Sequence, residues 1–268
     1  MIGESMKSSF FSQNSHGWLR RTAIILFWLV VWQAAAWLIH NDIILVGPLE
    51  AFISLAELIP AGEFWLSIAH SFAKISAGFL AGFLGGILLG SSAYRFSLLQ
   101  EFLEPVMNLL KSIPVASFVI LALIWAGSEH LAVLIAFLVV LPMIYVNTLS
   151  GLNSTDPKLL EMAAVFCISP WKKLRFIYFP ALLPYLINGC RISLGMCWKS
   201  GVAAEVIGLP THSIGEHLYM SKIYLETADL FAWTFVIIVI SSAFEKLFLI
   251  FLSSLQRKGG TTHEIEHP

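Results

Sequence analysis

Charge is scarce in this sequence. Only 12% of the 268 residues are Asp, Glu, Lys or Arg, while 57% are hydrophobic and the mean hydropathy is +0.80. A soluble domain carries about 25% charged residues. A water-soluble globule of this composition would leave large apolar patches on its exterior, so the scarcity excludes a soluble fold and points to an integral membrane protein. Neither sign of charge is in surplus, with 16 basic against 17 acidic residues, which removes any global attraction to nucleic acid. Cysteine is sparse as well: Cys167, Cys190 and Cys197. Cys190 and Cys197 would lie roughly 10 Å apart along one helix, beyond disulfide reach, and read as small buried hydrophobes. No Gly-Lys dipeptide occurs, so a phosphate-binding G-x4-G-K-[ST] loop is absent and the chain itself is not expected to be an enzyme that hydrolyses ATP. Strand-type alternation is missing too.

What is abundant is long apolar runs. Residues 1–17 are polar and mixed, and are expected to be disordered. Arg20 and Arg21 then precede Thr22–Ile39, a run that rises about 27 Å as a helix, close to the hydrocarbon thickness. Ala34-Ala35-Ala36 imitates a signal cleavage site, but the run exceeds the 7–15 residues of a signal core and reads as an uncleaved helix. Further runs at about 72–94, 105–127, 131–150, 181–204 and 230–252 complete an all-α membrane protein with six transmembrane helices. They form one domain over 18–256, followed by a tail at 257–268. Pro105 and Pro114 would break or kink the third span. In the second, Gly78, Gly82, Gly85, Gly86 and Gly90 allow another helix close approach.

Basic residues orient the chain. With the N-terminus inside, eleven (Lys7, Arg20, Arg21, Arg95, Lys111, Lys158, Lys172, Lys173, Arg175, Arg257 and Lys258) fall on inside segments, against Lys222 alone outside. That bias predicts two cytoplasmic termini. The outside segment 40–71 carries acidic but no basic residues and is expected to hold a short amphipathic element.

The inside connection Gly151–Pro180 carries the clearest functional signal. Asp156-Pro157 and Ser169-Pro170 each pair an N-cap residue with proline at the first helical position. They predict two short helices, 157–166 and 170–178, joined by a turn at Cys167-Ile168. The first has an apolar side; Lys172, Lys173 and Arg175 make the second basic. Such an element suits docking to a partner protein. It could equally rest on headgroups with its lysines on anionic lipid.

Glu161-Met162-Ala163-Ala164-Val165-Phe166-Cys167, then nine residues, then Ile177-Tyr178-Phe179-Pro180, resembles the "EAA" loop of permeases from ATP-binding-cassette importers, E-A-A-x3-G-x9-I-x-L-P. Glu161, Ala163, Ile177 and Pro180 match; Met162, Cys167 and Phe179 depart. Glycine would accept a positive φ in the turn, whereas Cys167 must carry a cost of about 1 kcal/mol or reshape it. Ser71–Phe79, Glu104-Pro105 with Ser112-Ile113-Pro114, Ile124–Gly127, and Trp198-Lys199 with Val202–Gly208 extend the resemblance over roughly residues 60–255, the last of these toward the nitrate/sulfonate/taurine branch.

The resemblance implies a type I importer (MetI-like) transmembrane domain in a bacterial cytoplasmic (inner) membrane. It implies a homodimer of the permease, two cytosolic ATPase subunits that carry ATP and Mg, and an extracytoplasmic solute-binding protein. The coupling-loop residues are then Glu161, Met162, Ala163, Ala164, Cys167, Trp171, Lys172, Ile177 and Pro180. The branch favours a small anion such as a sulfonate, taurine or nitrate, with a thiamine-precursor pyrimidine or another small nutrient as the alternative. An ion-gradient-driven secondary transporter is the rival of a different class; it would not need a helix-turn-helix at 156–178.

Charges within the spans need partners or water. Arg191 and Glu205 fall within about 40° on one helix face and Lys199 about 80° round, which suggests a path-lining face with a cation for an anionic solute. Pairing with other helices or snorkelling is the competing role, and Glu245-Lys246 read as structurally paired. His212, Glu216 and His217 could hold a metal, contact the binding protein or gate the outer mouth; no metal site is expected. His263-Glu264-Ile265-Glu266-His267 satisfies H-E-x-x-H, yet it follows Gly259-Gly260 and ends one residue before the C-terminus, where no stable helix forms.

Overall fold

The structure is a computed structural model that describes residues 5–260, with side chains over 20–255. Every regular element among the described residues is helical: α1 (Ser5–Ile39), α2 (Pro48–Leu58), α3 (Gly62–Arg95), α4 (Ser97–Ser112), α5 (Val115–Asn153), α6 (Pro157–Val165), α7 (Pro170–Lys173), a π-helical turn (Leu174–Tyr178), α8 (Phe179–Gly208), α9 (Ile214–Tyr224) and α10 (Thr227–Gly260). Helix α1 begins at Ser5 and so takes in residues 5–17, for which the sequence offers no helical stripe.

Four of these helices are long and apolar enough to cross a membrane: Arg20–Ile39, Gly62–Arg95, Val115–Asn153 and Thr227–Leu255. The expected third and fourth spans are built differently from two simple helices. Helix α4 ends at Ser112, and Ile113-Pro114 interrupts the chain in extended conformation before α5. Inside α5, Gly127 takes φ 67 and ψ 170, a region open essentially to glycine, and the chain folds back there. Val119 and Ala122 of the leg before Gly127 pack against Leu131 and Ile135 of the leg after it. Met107 of α4 packs against Leu141 and Tyr145. Thus α4 and the first leg together run antiparallel to residues 128–153.

The chain divides into two compact units. In the larger, residues 62–219 and 235 onward, α3 and the second leg of α5 lie side by side in the same direction. Their contact is set by glycines every fourth residue. A Cβ at Gly82, Gly86 or Gly90 would stand 2.8, 2.7 and 2.8 Å from the Cβ of Val140, Ile144 and Thr148. Lacking side chains there, α3 brings its backbone into close packing, which is how helices associate where lipid is as apolar as leucine. Helix α8 runs antiparallel to α5, with Gly151 against Leu182, Gly189 against Asn147 and Gly208 against Leu131. Phe244 and Phe248 of α10 meet Phe72, Phe79 and Phe83 of α3 and Trp198 of α8 in edge-on and tilted contacts. Successive passes within this unit therefore alternate in direction.

In the smaller unit, α2 is capped at Gly47, whose N–H donates to the Glu50 carboxylate at 2.7 Å. The side chain of Ser54 donates to Asp229 at 2.7 Å, and Trp32 Nε1 donates to the Val46 carbonyl at 3.0 Å. The short element expected in the 40–71 segment is this helix; the segment itself ends at residue 61, where α3 takes over.

Candidate coupling loop and the charges of the fifth span

Helix α6 starts as its sequence prescribes. Asp156 Oδ1 accepts from the Lys158 N–H at 2.9 Å and Pro157 occupies the first turn. It ends in a Schellman motif, in which Ile168 N donates to the Ala163 carbonyl at 2.9 Å and Cys167 N to Ala164 at 3.1 Å. The residue after the cap must then be left-handed, and Cys167 is, with φ 49. The position that the EAA pattern reserves for glycine is the one that needs a positive φ. Cysteine holds it here at a cost of about 1–2 kcal/mol.

The second loop helix is not the free-standing 170–178 element expected. Pro170–Lys173 makes one α turn, Leu174–Tyr178 widens to a π turn, and α8 continues without a break. Ser169 occupies the N-cap position but makes no side-chain cap bond. Because the hydrogen-bonded path is continuous from Pro170, the second loop helix and the fifth span form one rod, which the turn at Cys167 joins to α6. Such π turns recur at functional sites, and no residue pattern announced this one.

Within the loop Ala163 is fully buried and Ile177 nearly so, while Glu161, Met162, Ala164, Lys172 and Pro180 are exposed. Apolar side chains face outward beside them: Val165, Phe166 and Trp171 retain 78, 73 and 72% of their surface, and Phe176 is exposed as well. Lys158, Lys172 and Arg175 are exposed around them. The loop thus exposes several large apolar side chains among charged ones.

The three candidate path residues are separated by the fold. Arg191 and Lys199 are exposed on α8, but Glu205 is fully buried at 0%. Lys199 borders a cleft of about 330 Å³ lined also by Val115, Ala116, Met196, Ala203 and Ile207. Glu205 instead accepts from Ser71 Oγ at 2.8 Å and from Gly215 N at 3.2 Å. The angle of the 100° step is kept, but the three residues meet different surroundings, because Ser71 of α3 and Gly215 of α9 cover Glu205. Lys74, another charge within a span, pairs with Glu129 at 2.6 Å. Glu245 and Lys246 form no ion pair among the described residues.

His212, Glu216 and His217 do not converge. The Glu216 carboxylate accepts from His212 N at 2.7 Å, and His217 Nε2 lies 2.9 Å from Ser67 Oγ. No group of three metal-ligating side chains occurs among the described residues. Cys190 and Cys197 are free and buried; Cys167 is free and exposed. His263–His267 lies outside the described residues.

A family model of binding-protein-dependent transport system inner membrane components matches residues 82–258, and the chain belongs to that family. It is a permease subunit of an ATP-binding-cassette importer, a non-enzymatic inner-membrane protein that works with ATPase and solute-binding subunits. It is 27% identical over 249 residues to the putative aliphatic sulfonates transport permease protein SsuC of Bacillus subtilis (strain 168), covering 92% of this chain and 88% of the relative. Its identity to the taurine transport system permease protein TauC of Escherichia coli (strain K12) is 28% over 239 residues, 86 and 84% of the two chains. Among solved structures, the MetNI methionine ABC transporter in inward-facing conformations shares the fold, with a TM-score of 0.53 and 16% identity over 73% of this chain and 96% of that one.

Proposed function

We propose that two copies of this chain form the path for a small anion of the sulfonate, taurine or nitrate kind, with both termini in the cytoplasm. The substrates for which the relatives are named, aliphatic sulfonates and taurine, support that class. The alternating passes support six crossings, the third being made jointly by α4 and the first leg of α5. Arg95 follows Tyr94, whose ring meets Tyr178, so Arg95, Lys172 and Arg175 lie toward one end of these passes, in keeping with the positive-inside bias.

The loop is the docking site of the ATPase subunits, which hold ATP and Mg. The observation that carries this is the exposed Val165 and Phe166 at the end of α6 together with Trp171 and Phe176 on the helix that continues into α8. Glu161, Met162, Ala164, Cys167 and Lys172 present its outer side, Ala163 and Ile177 anchor it, and Pro180 opens the rod into the span. Closure of an ATPase dimer on this surface would move α8 as a rigid body. Lys199 and Arg191 supply positive charge along the path. Deleting 161–178 should leave the spans inserted but abolish co-purification of the ATPase and ATP-dependent uptake; uptake at the wild-type rate would refute the docking role. Neutralising Lys199 and Arg191 should reduce anion uptake, and unchanged uptake of every candidate anion would remove them from the path.

A further inference from the structure

We infer that the buried Glu205 carboxyl group is a latch that holds the segment 209–217 closed over the ends of α3 and α8, and that transport requires its release. The claim rests on the orientation proposed above, which puts this end of the permease outside.

Four polar residues of α3, Ser67, His70, Ser71 and Lys74, recur at i, i+3, i+4 and i+7 and so form one stripe. Each serves the same short segment. Ser67 Oγ lies 2.9 Å from His217 Nε2, and His70 Nδ1 lies 3.1 Å from the His212 carbonyl. Ser71 Oγ donates to Glu205 at 2.8 Å while accepting from Ile214 N at 2.9 Å. Lys74 holds one oxygen of Glu129, whose other oxygen accepts from Thr211 N at 3.3 Å and Thr211 Oγ1 at 3.4 Å. Gly215 packs so closely that a Cβ there would overlap the Cβ of Glu205.

Two features separate this arrangement from a permanent staple. Glu205 uses one oxygen for both its bonds, while the other, also buried, has no partner among the described residues. A buried polar atom left unpaired opposes the closed position, and lifting the segment would let water reach it. The turn is also held under strain, since Leu209 and His212 take φ 51 and 54 without being glycine. Polar contacts close the segment while desolvation and backbone strain favour opening, which makes it an element with two positions. Import needs such an element, because the receiving side must shut while the path is open to the other.

The test uses the whole importer, permease with its ATPase and solute-binding subunits, in spheroplasts treated with a membrane-impermeant maleimide. Ile214 is fully buried, so an Ile214→Cys reporter should react slowly. Adding Glu205→Ala or Ser71→Ala should speed its labelling about tenfold or more, whereas Glu205→Gln, whose amide oxygen can accept the same bonds, should stay within about twofold. An Ala204→Cys reporter in the core should remain unreactive throughout; its labelling in the Glu205→Ala background would mean general loosening and overturn the latch. Unchanged Ile214→Cys labelling would overturn it too. Lys222→Cys should react from outside and Lys172→Cys should not. The reverse pattern would show that the orientation has failed, and the outer latch with it, whereas the expected pattern with no effect of Glu205→Ala condemns the latch alone. Finally, a short bifunctional thiosulfonate joining Ser67→Cys to His217→Cys should abolish stimulation of ATP hydrolysis by the solute-binding protein, reversibly on reduction. Stimulation that persists in the cross-linked complex would refute the need for release.

Discussion

Helix α8 ends in two turns of opposite design. At its N-terminal end, the loop 154–178 hides little beyond Ala163 and Ile177 and turns its large apolar side chains outward. At its C-terminal end, the segment 209–217 buries Ser213, Ile214 and Gly215 and is tied to α3 by a row of polar contacts. Both turns force non-glycine residues into left-handed backbone, Cys167 on one side and Leu209 and His212 on the other. The difference lies in what offsets the strain. The outer contacts are internal and polar, so that turn is controlled from within the chain. The loop leaves its large apolar side chains uncovered, and in the function proposed above the ATPase covers them. On the proposed roles, one rod from Pro170 to Gly208 carries a receiving end and a locking end.

The sharpest way to break this comparison is to make the receiving end polar. Phe166→Asp with Trp171→Asp should eliminate ATPase co-purification and coupled uptake while labelling at Ile214→Cys stays slow; retained coupling would mean that the apolar surface is not the contact. A milder change, Trp171→Ala, should weaken ATPase binding by about 2 kcal/mol, roughly 30-fold, if this side chain is an interface anchor. Titration of detergent-solubilised permease with its ATPase would read it. The frame shared by both ends should be intolerant of volume. Gly86→Val would push a side chain into Ile144, whose Cβ stands 2.7 Å from the place the new Cβ would take, and should cost about 1–3 kcal/mol in a denaturation experiment. The smallest expected effect is a gain. Cys167→Gly should stabilise the loop by about 1 kcal/mol by relieving its left-handed strain, seen as a rise in Tm of a few degrees, because a glycine there carries no Cβ to clash. A fall in Tm would mean that the cysteine side chain makes a contribution the turn geometry does not account for.

Much of this was legible in local pattern. Asp156-Pro157 set the start of α6, and the left-handed φ at Cys167 follows from a motif that asks for glycine. The glycines of α3 announced close packing, though not their partner. Other features were not legible, for identifiable reasons. The third span is expected at 105–127 with a break at Pro105 or Pro114. The break falls at Ile113-Pro114, and the crossing starts earlier, with α4 at Ser97, a start missed because α4 is too polar to register as an apolar run. The run at 181–204 reads as a span and is α8, but its packing partner α5 was not legible, nor was its continuation back through Leu174–Tyr178. The polar stripe of α3 was visible only as scattered Ser, His and Lys, because its partners lie 55 to 150 residues away in the chain.

The sequence by itself determined residence in a membrane, the helical class, the bias in where basic residues fall and the start and turn of the loop helix α6, since each follows from composition or from contacts a few residues apart. Tertiary structure alone decided the fate of the charges. At 100° per residue, Glu205 shares a face with Arg191, yet it is buried while Arg191 and Lys199 remain exposed. Helical periodicity fixes angles within one helix; which side is covered depends on the helix that folds back over it.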